Sequence, residues 1–298
     1  MEKRIDLHIH SNFSEDADLS VEEIFKLAEK SSLSAISITD HDSIESISTA
    51  KNIKDKYDIE YIPGVELTTI LPKDNSQQHI LGYFVDENNV ELDESLNGII
   101  EKRIIIAKKR IEKLKDLGFS MNEERIWEMT GDRPPTAVSI MIEIFENELN
   151  IDNKRLHEYL SGSKKKDRLG FFYKDYLSEG KPGYVPFQSI SVEEGVNIIK
   201  KADGVPVLAH PIFLKKREFL DIIRDYGILG IEAVSTYHTP DDVDFYIDYA
   251  KSNDLLITTG SDFHGPTAKP KVKLGDITGN DYKYFRKLKD LYKSLNKI

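Results

Sequence analysis

Cysteine is absent from this chain. Its absence excludes disulfides, thiolate-ligated zinc or iron–sulfur centres and a cysteine nucleophile. Long apolar runs are also missing, and no stretch approaches the ~20 residues that a membrane helix needs. The N-terminus, MEKRIDLHIHS, lacks an apolar signal region and enters a strand-like segment at once. A cytoplasmic protein with no membrane partner is therefore the default expectation. Positive charge is in deficit: 41 Lys+Arg stand against 52 Asp+Glu, a formal net charge of −11. That balance argues against gripping duplex DNA by bulk charge. Small phosphorylated substrates stay open, because a bound cation reverses the local field. Tryptophan occurs once, at Trp127. What is present is 39% hydrophobic and 31% charged residues over 298 positions, enough for one large core with an insertion, or for two domains.

The hydrophobic pattern alternates between two periods. Residues 4–10 read as a strand. Residues 20–31 read as a helix with Ser20 as N-cap, Glu23 three residues on, and Val21, Ile24, Phe25, Leu27 and Ala28 on its apolar face. The strand AISIT (35–39) follows, then a helix over 43–56 and the strands IEYIPGVELT (59–68) and QHILGYFV (78–85). Such β-α-β alternation implies parallel strands with crossover helices. From about 93 the chain turns long, charged and helical, with Gly118 as a helix C-cap and a basic loop at 161–168 read as a solvated turn. The alternation resumes from 185, with strands at VPVLAHP (205–211), GIEAVS (230–235) and LLITTGSDFHG (255–265), each preceded by a helix, and a charged helix at 281–296. The pattern predicts an α/β barrel over 1–92 and 185–298. Residues 93–184 form a mainly helical insertion, expected to cap the barrel.

Five of the eight histidines, His8, His10, His41, His210 and His264, fall at the C-terminal side of strand-like runs, and His79 at the start of one. In α/β barrels the C-terminal strand ends carry the active site, so residues far apart in sequence can meet there. His8 and His10 point to one face of a strand and can chelate one cation, with Asp6 as a supporting acceptor. Asp40-His41-Asp42, Glu66 and the same-face pair Asp262 and His264 occupy further strand ends. One such pair is explained by packing; the recurrence at successive strand ends is not, because titratable groups there are costly without partners. Mixed His/Asp/Glu donors without Cys favour Mn, Fe, Zn or Mg. Their number exceeds what one ion needs, so two or three ions are expected. A multinuclear centre of this kind suits phosphoester hydrolysis.

DLHIHS, TDHD, GVELT, AHP and GSDFHG, in that order from residue 6 to residue 265, resemble the motifs of the PHP (polymerase and histidinol phosphatase) superfamily. The resemblance implies a distorted (β/α)7 barrel with two or three Mn, Fe or Zn ions. FFYKDYLSEGKPGYVP (171–186) is similar to the subgroup of nucleoside 3′,5′-bisphosphate phosphatases, some of which trim the 5′ ends of short RNA. One ion is then held by His8, His10, Glu66 and Asp262. A second is held by Glu15, or Asp16 in its place, with His41 and His264. A third is held by Glu66, His79 and His210. The catalytic set is a metal-bound water with Glu66, Asp262 and His264. Arg103, Arg110, Arg133 and Lys181 are the candidates for a second phosphate, and Tyr184 or Phe172 for a base. Two departures stand out. The subgroup's SDG reads Ser14-Glu15-Asp16 here, and its RPH reads Arg133-Pro134-Pro135, without the histidine. His157 and His238 match no motif and are read as structural.

The expected substrate is a small phosphorylated metabolite, a nucleoside 3′,5′-bisphosphate or a short RNA end. Histidinol phosphatase is the alternative within the same chemistry. A non-catalytic accessory module attached to nucleic-acid enzymes is the alternative outside it; the chain carries no polymerase sequence, and nearly every ligand position is filled.

Overall fold

Runs rich in β-branched and aliphatic residues alternate with amphipathic helices along the first ninety residues, and each strand finds its partner in the next. In the computed structural model, which describes residues 3–131 and 133–297, β1 (Arg4–Ile9) is followed by α1 (Val21–Lys30), β2 (Leu33–Ile38), α2 (Glu45–Ile53), β3 (Glu60–Leu71) and β4 (Ser76–Tyr83). Helix α1 starts at a reciprocal cap. The Ser20 hydroxyl accepts from the Glu23 amide, and the Glu23 carboxylate accepts from the Ser20 amide at 2.8 Å. Its Val21, Ile24, Phe25 and Ala28 are buried against Ile9, Ile36 and Ile38.

The chain divides into two compact units, residues 1–97 with 189–298, and residues 98–188. In the first unit β1, β2 and β3 pair in parallel. β3 and β4 are antiparallel, which departs from the all-parallel expectation. Residues 72–75 form a turn between them, and a connection this short permits only a hairpin. Helix α3 (Val90–Asp116) leaves the first unit after burying Leu92 and Leu96 in its core. The second unit holds the rest of α3, then α4 (Glu123–Thr130), α5 (Ala137–Glu146), α6 (His157–Leu160) and α7 (Arg168–Phe172). Its own core includes Ile111, Leu114, Phe119, Ile126, Ile140 and Phe172. Phe172 is fully buried there, so it is a core residue and not a shelf for a base.

β5 (Ile190–Ser191) rejoins the first unit beside β3. Then come α8 (Val192–Lys201), β6 (Val205–Leu208), α9 (Phe219–Asp225), β7 (Gly230–Ser235), α10 (Pro240–Ser252), β8 (Leu256–Gly260) and α11 (Tyr282–Asn296). The sheet runs β1-β2-β3-β4-β6-β7-β8, with β5 outside this path. Past β8 the chain returns to β1: the Asp262 amide donates to His8 O at 2.9 Å, and the His10 amide to Phe263 O at 2.8 Å. Seven strands thus form a nearly closed barrel, the distorted (β/α)7 architecture expected. Phe285 and Leu288 of α11 pack beneath it against Ile5 and Leu7.

Candidate metal centre

The parallel strands end together, and β4, running the other way, begins at that same edge. This is why His79, near the start of its strand, sits opposite Thr68 and close to Glu66. Six histidines, His8, His10, His41, His79, His210 and His264, form a chain of ring contacts with centroids 4.0–5.8 Å apart.

Glu66 lies among them, fully buried. Its Oε2 is 3.2 Å from His8 Nε2, 3.2 Å from His10 Nε2 and 3.0 Å from His41 Nδ1. Its Oε1 is 3.0 Å from His79 Nδ1 and 3.1 Å from His210 Nε2. Asp262 Oδ1 faces the first pair, 3.3 Å from His8 Nε2 and 3.1 Å from His10 Nε2. Within the turn after β1, Asp16 reaches the cluster, with Oδ2 3.4 Å from His264 Nε2 and 3.9 Å from His41 Nε2. Donor atoms converge in three groups: His8, His10, Glu66 and Asp262; His10, His41 and His264; His41, Glu66 and His79. Glu15, Asp16 and His210 enter none of these three groups.

A second layer fixes these rings. His8 Nδ1 is 3.0 Å from Glu232 Oε1, and Glu232 Oε2 accepts from the His210 amide at 2.9 Å. Fully buried in the middle of β7, Glu232 thereby aims the His8 ring and holds the His210 backbone. Sequence reading passed it over as one residue of an apolar strand, although a lone carboxylate in a fully buried parallel strand is itself a signal. His10 Nδ1 is 3.0 Å from Ser14 Oγ, which donates to Asp40 at 2.9 Å. Asp40 also accepts from the Ser11 amide and hydroxyl, and Asp42 from the Thr68 amide. Asp6, expected as a supporting acceptor, accepts from the His8 backbone amide at 3.4 Å rather than from a ring, and also from the Ser261 amide and hydroxyl and the Gly275 amide. It organises the loop after β8. Gly260 makes the approach of β8 possible, since a Cβ there would lie 2.1 Å from His8 Cβ. His210 has φ 23° and Asp262 φ 55°, left-handed backbone whose cost the surrounding bonds must offset.

The electrostatics follow from this crowding. Burial opposes ionisation of Glu66 and Asp262, but the imidazoles around them hold both carboxyls well below the usual range. Burial likewise opposes protonation of His8 and His10, yet the carboxylates beside them raise both, His10 to about 9. His41 and His264 go the other way, lowered by burial and by the neighbouring His10. Glu66 Oε2, Asp262 Oδ1, His41 Nδ1 and His264 Nε2 are buried without a well-formed hydrogen bond; His41 Nδ1 faces Glu66 Oε2, and Glu66 Oε2 and Asp262 Oδ1 face the same two rings, His8 and His10. Buried polar atoms ordinarily find partners, and lone pairs converging in a closed space find theirs in divalent cations.

A cavity of about 310 Å³ opens beside these donors, lined also by Gln77, Phe213, Tyr237 and Lys269. None of the four carried a motif. The candidate phosphate contacts belong to the second unit. Arg103 and Arg110 are partly buried on α3, Arg133 lies in the bend after α4, and Lys181 is exposed in the turn after residues 173–177. Asp132, beside Arg133, lies outside the described residues. His238 packs structurally, its Nδ1 2.9 Å from Ala233 O.

Comparison with known proteins places this geometry. The 3′,5′-nucleoside bisphosphate phosphatase of Chromobacterium violaceum is 28% identical over 268 residues, spanning 88% of this chain and 87% of that protein. The 5′-3′ exoribonuclease Rnm of Escherichia coli K12 is 26% identical over 281 residues, spanning 91% and 87%. A solved structure of an amidohydrolase from Chromobacterium violaceum, with bound sulfate and no metal, superposes with a TM-score of 0.75 at 26% identity over 96% of each chain. The family model of the PHP domain matches residues 6–168, more than half of the sequence. This chain belongs to the PHP domain family and is a phosphoester hydrolase.

Proposed function

We propose that this hydrolase releases phosphate from a small phosphorylated metabolite, with a nucleoside 3′,5′-bisphosphate as the preferred class. Two or three divalent ions, manganese, iron or zinc, are its cofactors. His8, His10, Glu66 and Asp262 hold one. Asp16, one of the two acidic residues that the sequence left open with Glu15, holds a second with His41 and His264, on the strength of its approach to both rings. Glu66, His79 and His210 hold a third where three are loaded. Bound there, the ions supply an activated water at neutral pH and charge for the phosphate oxygens.

The protein's own groups do the rest. Glu66 presents one oxygen to each side of the cluster. Glu232 sets the His8 ring, and Asp40 sets the His10 ring through Ser14. Arg103, Arg110, Arg133 and Lys181 give the second unit a substrate-binding role, as contacts to the phosphate that is not cleaved. Guanidinium groups suit that task because their planar fork matches phosphate oxygens. The observation that carries the reading is the arrangement around Glu66, whose two oxygens each meet a different set of imidazoles in a buried space. Similarity to the bisphosphate phosphatase supports the substrate class, and similarity to the exoribonuclease supports short RNA 5′ ends as a second one.

The test is an activity screen of protein reconstituted with Mn, Fe or Zn against aryl phosphate, histidinol phosphate, nucleoside monophosphates and bisphosphates, and short 5′-phosphorylated RNA. The reading expects the highest kcat/KM on a 3′,5′-bisphosphate. A preference for histidinol phosphate, or none among nucleotides, contradicts the substrate assignment.

A further inference from the structure

Asp262 divides its carboxylate. Oδ1 faces His8 and His10, while Oδ2 accepts from the Tyr237 hydroxyl and, at 2.7 Å, from Lys269 Nζ. Lys269 Nζ also donates to the Tyr237 oxygen at 2.8 Å. An ammonium has three N–H groups, so these two bonds leave one. Among the described residues lining the 310 Å³ cavity, Lys269 is the one lysine or arginine.

The segment that carries it is fixed. Asp18 Oδ2 accepts from the Thr267 amide at 2.6 Å and the Ala268 amide at 3.0 Å. The Lys269 amide donates to Gly265 O at 3.1 Å, and Gly265 takes φ 102° to pass Asp18. Surface lysines lose rotamer freedom when they bind; this one is already tethered at backbone and ammonium. Pairing with Asp262 alone does not account for the arrangement. Tyr237 already supplies a donor to Oδ2, and a cation on Oδ1 weakens the carboxylate's hold on a second positive charge.

We propose that Lys269, positioned by Tyr237 and Asp262, donates its remaining N–H to a phosphoryl oxygen of the bound substrate. The inference rests on the phosphoester reading and deepens it. Lys269 then contacts the phosphate that the centre binds, and Tyr237 is a positioning residue.

Inorganic phosphate is the probe, titrated by calorimetry into manganese-loaded protein, with metal content measured in parallel. Lys269→Met should keep the wild-type metal content and weaken phosphate binding by about tenfold or more, the loss expected for one charge-assisted hydrogen bond. Lys269→Arg should restore most of it. Wild-type phosphate affinity in Lys269→Met overturns the proposal. So does loss of metal together with phosphate, which would make Lys269 a support for Asp262 only. If Lys269→Met does not fold, Lys269→Gln and Lys269→Arg decide the question by the same comparison. Loaded wild-type protein that hydrolyses phosphomonoesters while its Lys269 variants bind phosphate normally removes this inference alone. Loaded wild-type protein that neither hydrolyses nor binds phosphate removes the phosphoester reading with it.

Discussion

At Glu66 one carboxylate faces five imidazoles, three through Oε2 and two through Oε1. A Glu66→Gln side chain keeps the shape but replaces one oxygen with an amide that repels cations. That variant should fold, retain less metal than wild type by elemental analysis, and lose activity on the order of a thousandfold, ~4 kcal/mol of barrier. Glu232→Gln acts one step out, leaving the His8 ring less firmly oriented. Metal affinity by chelator competition should fall roughly 10–100-fold, and unchanged affinity would remove Glu232 from the scheme. His10 gives a pH test. Burial opposes its protonation, but Asp262 and Glu66 push it up to about 9, above its ordinary value of 6.5. Its contribution to the stability of metal-free protein is therefore fully present below 6.5 and lost as pH rises through about 9. The Tm of metal-free protein should drop from about pH 7 to about pH 10 by this linkage; a flat profile speaks against a protonated His10. The histidines, Glu66 and Asp262 were legible in sequence because each lies at or near a strand end. Lys269, Tyr237 and Phe213 were not, since only the folded loops bring them to the cavity. The choice between Glu15 and Asp16 stayed open in sequence, because neighbouring side chains in a turn diverge in ways that spacing does not record.

Between elements, the β3–β4 hairpin is the least expected feature. Its antiparallel course brings the start of β4, with His79, to the edge where the parallel strands end. Sequence periodicity located both strands but not their direction, because strand pattern is the same in either sense and only the length of the connecting turn decides. The loop after β8 carries Asp262, His264 and Lys269 within eight residues, and Asp6, Asp18 and the left-handed Gly265 hold it in place. In the helical unit, the proposed substrate role of Arg133 and the α3 arginines has its own test. Arg133→Ala should lower kcat/KM for a 3′,5′-bisphosphonucleotide about 30-fold, ~2 kcal/mol, with much less effect on an aryl phosphate. Equal losses on both substrates would assign Arg133 to folding or to the reacting phosphate instead.

For the whole molecule, the acidic balance of −11 sits alongside a centre built to concentrate positive charge once loaded. No helix among the described residues is long and apolar enough to cross a membrane. The alternation of elements was readable on both sides of the insertion because each strand–helix repeat carries its own period and caps, as Ser20 shows. The units meet the chain at residues 97–98 and 188–189, whereas sequence placed the insertion at 93–184; the pattern cannot mark such a change inside α3, which runs through it uninterrupted. Metal loading should stabilise the protein by mass action, about 2.7 kcal/mol at a free-ion concentration a hundred times Kd. The most direct test of the account is the metal content of folded protein purified without chelator or reconstituted with Mn, Fe or Zn, followed by hydrolysis of a phosphomonoester before and after stripping. The account predicts more than one equivalent of divalent metal per chain and activity that disappears on removal and returns on reloading. A well-folded protein that takes up none of these metals would contradict it.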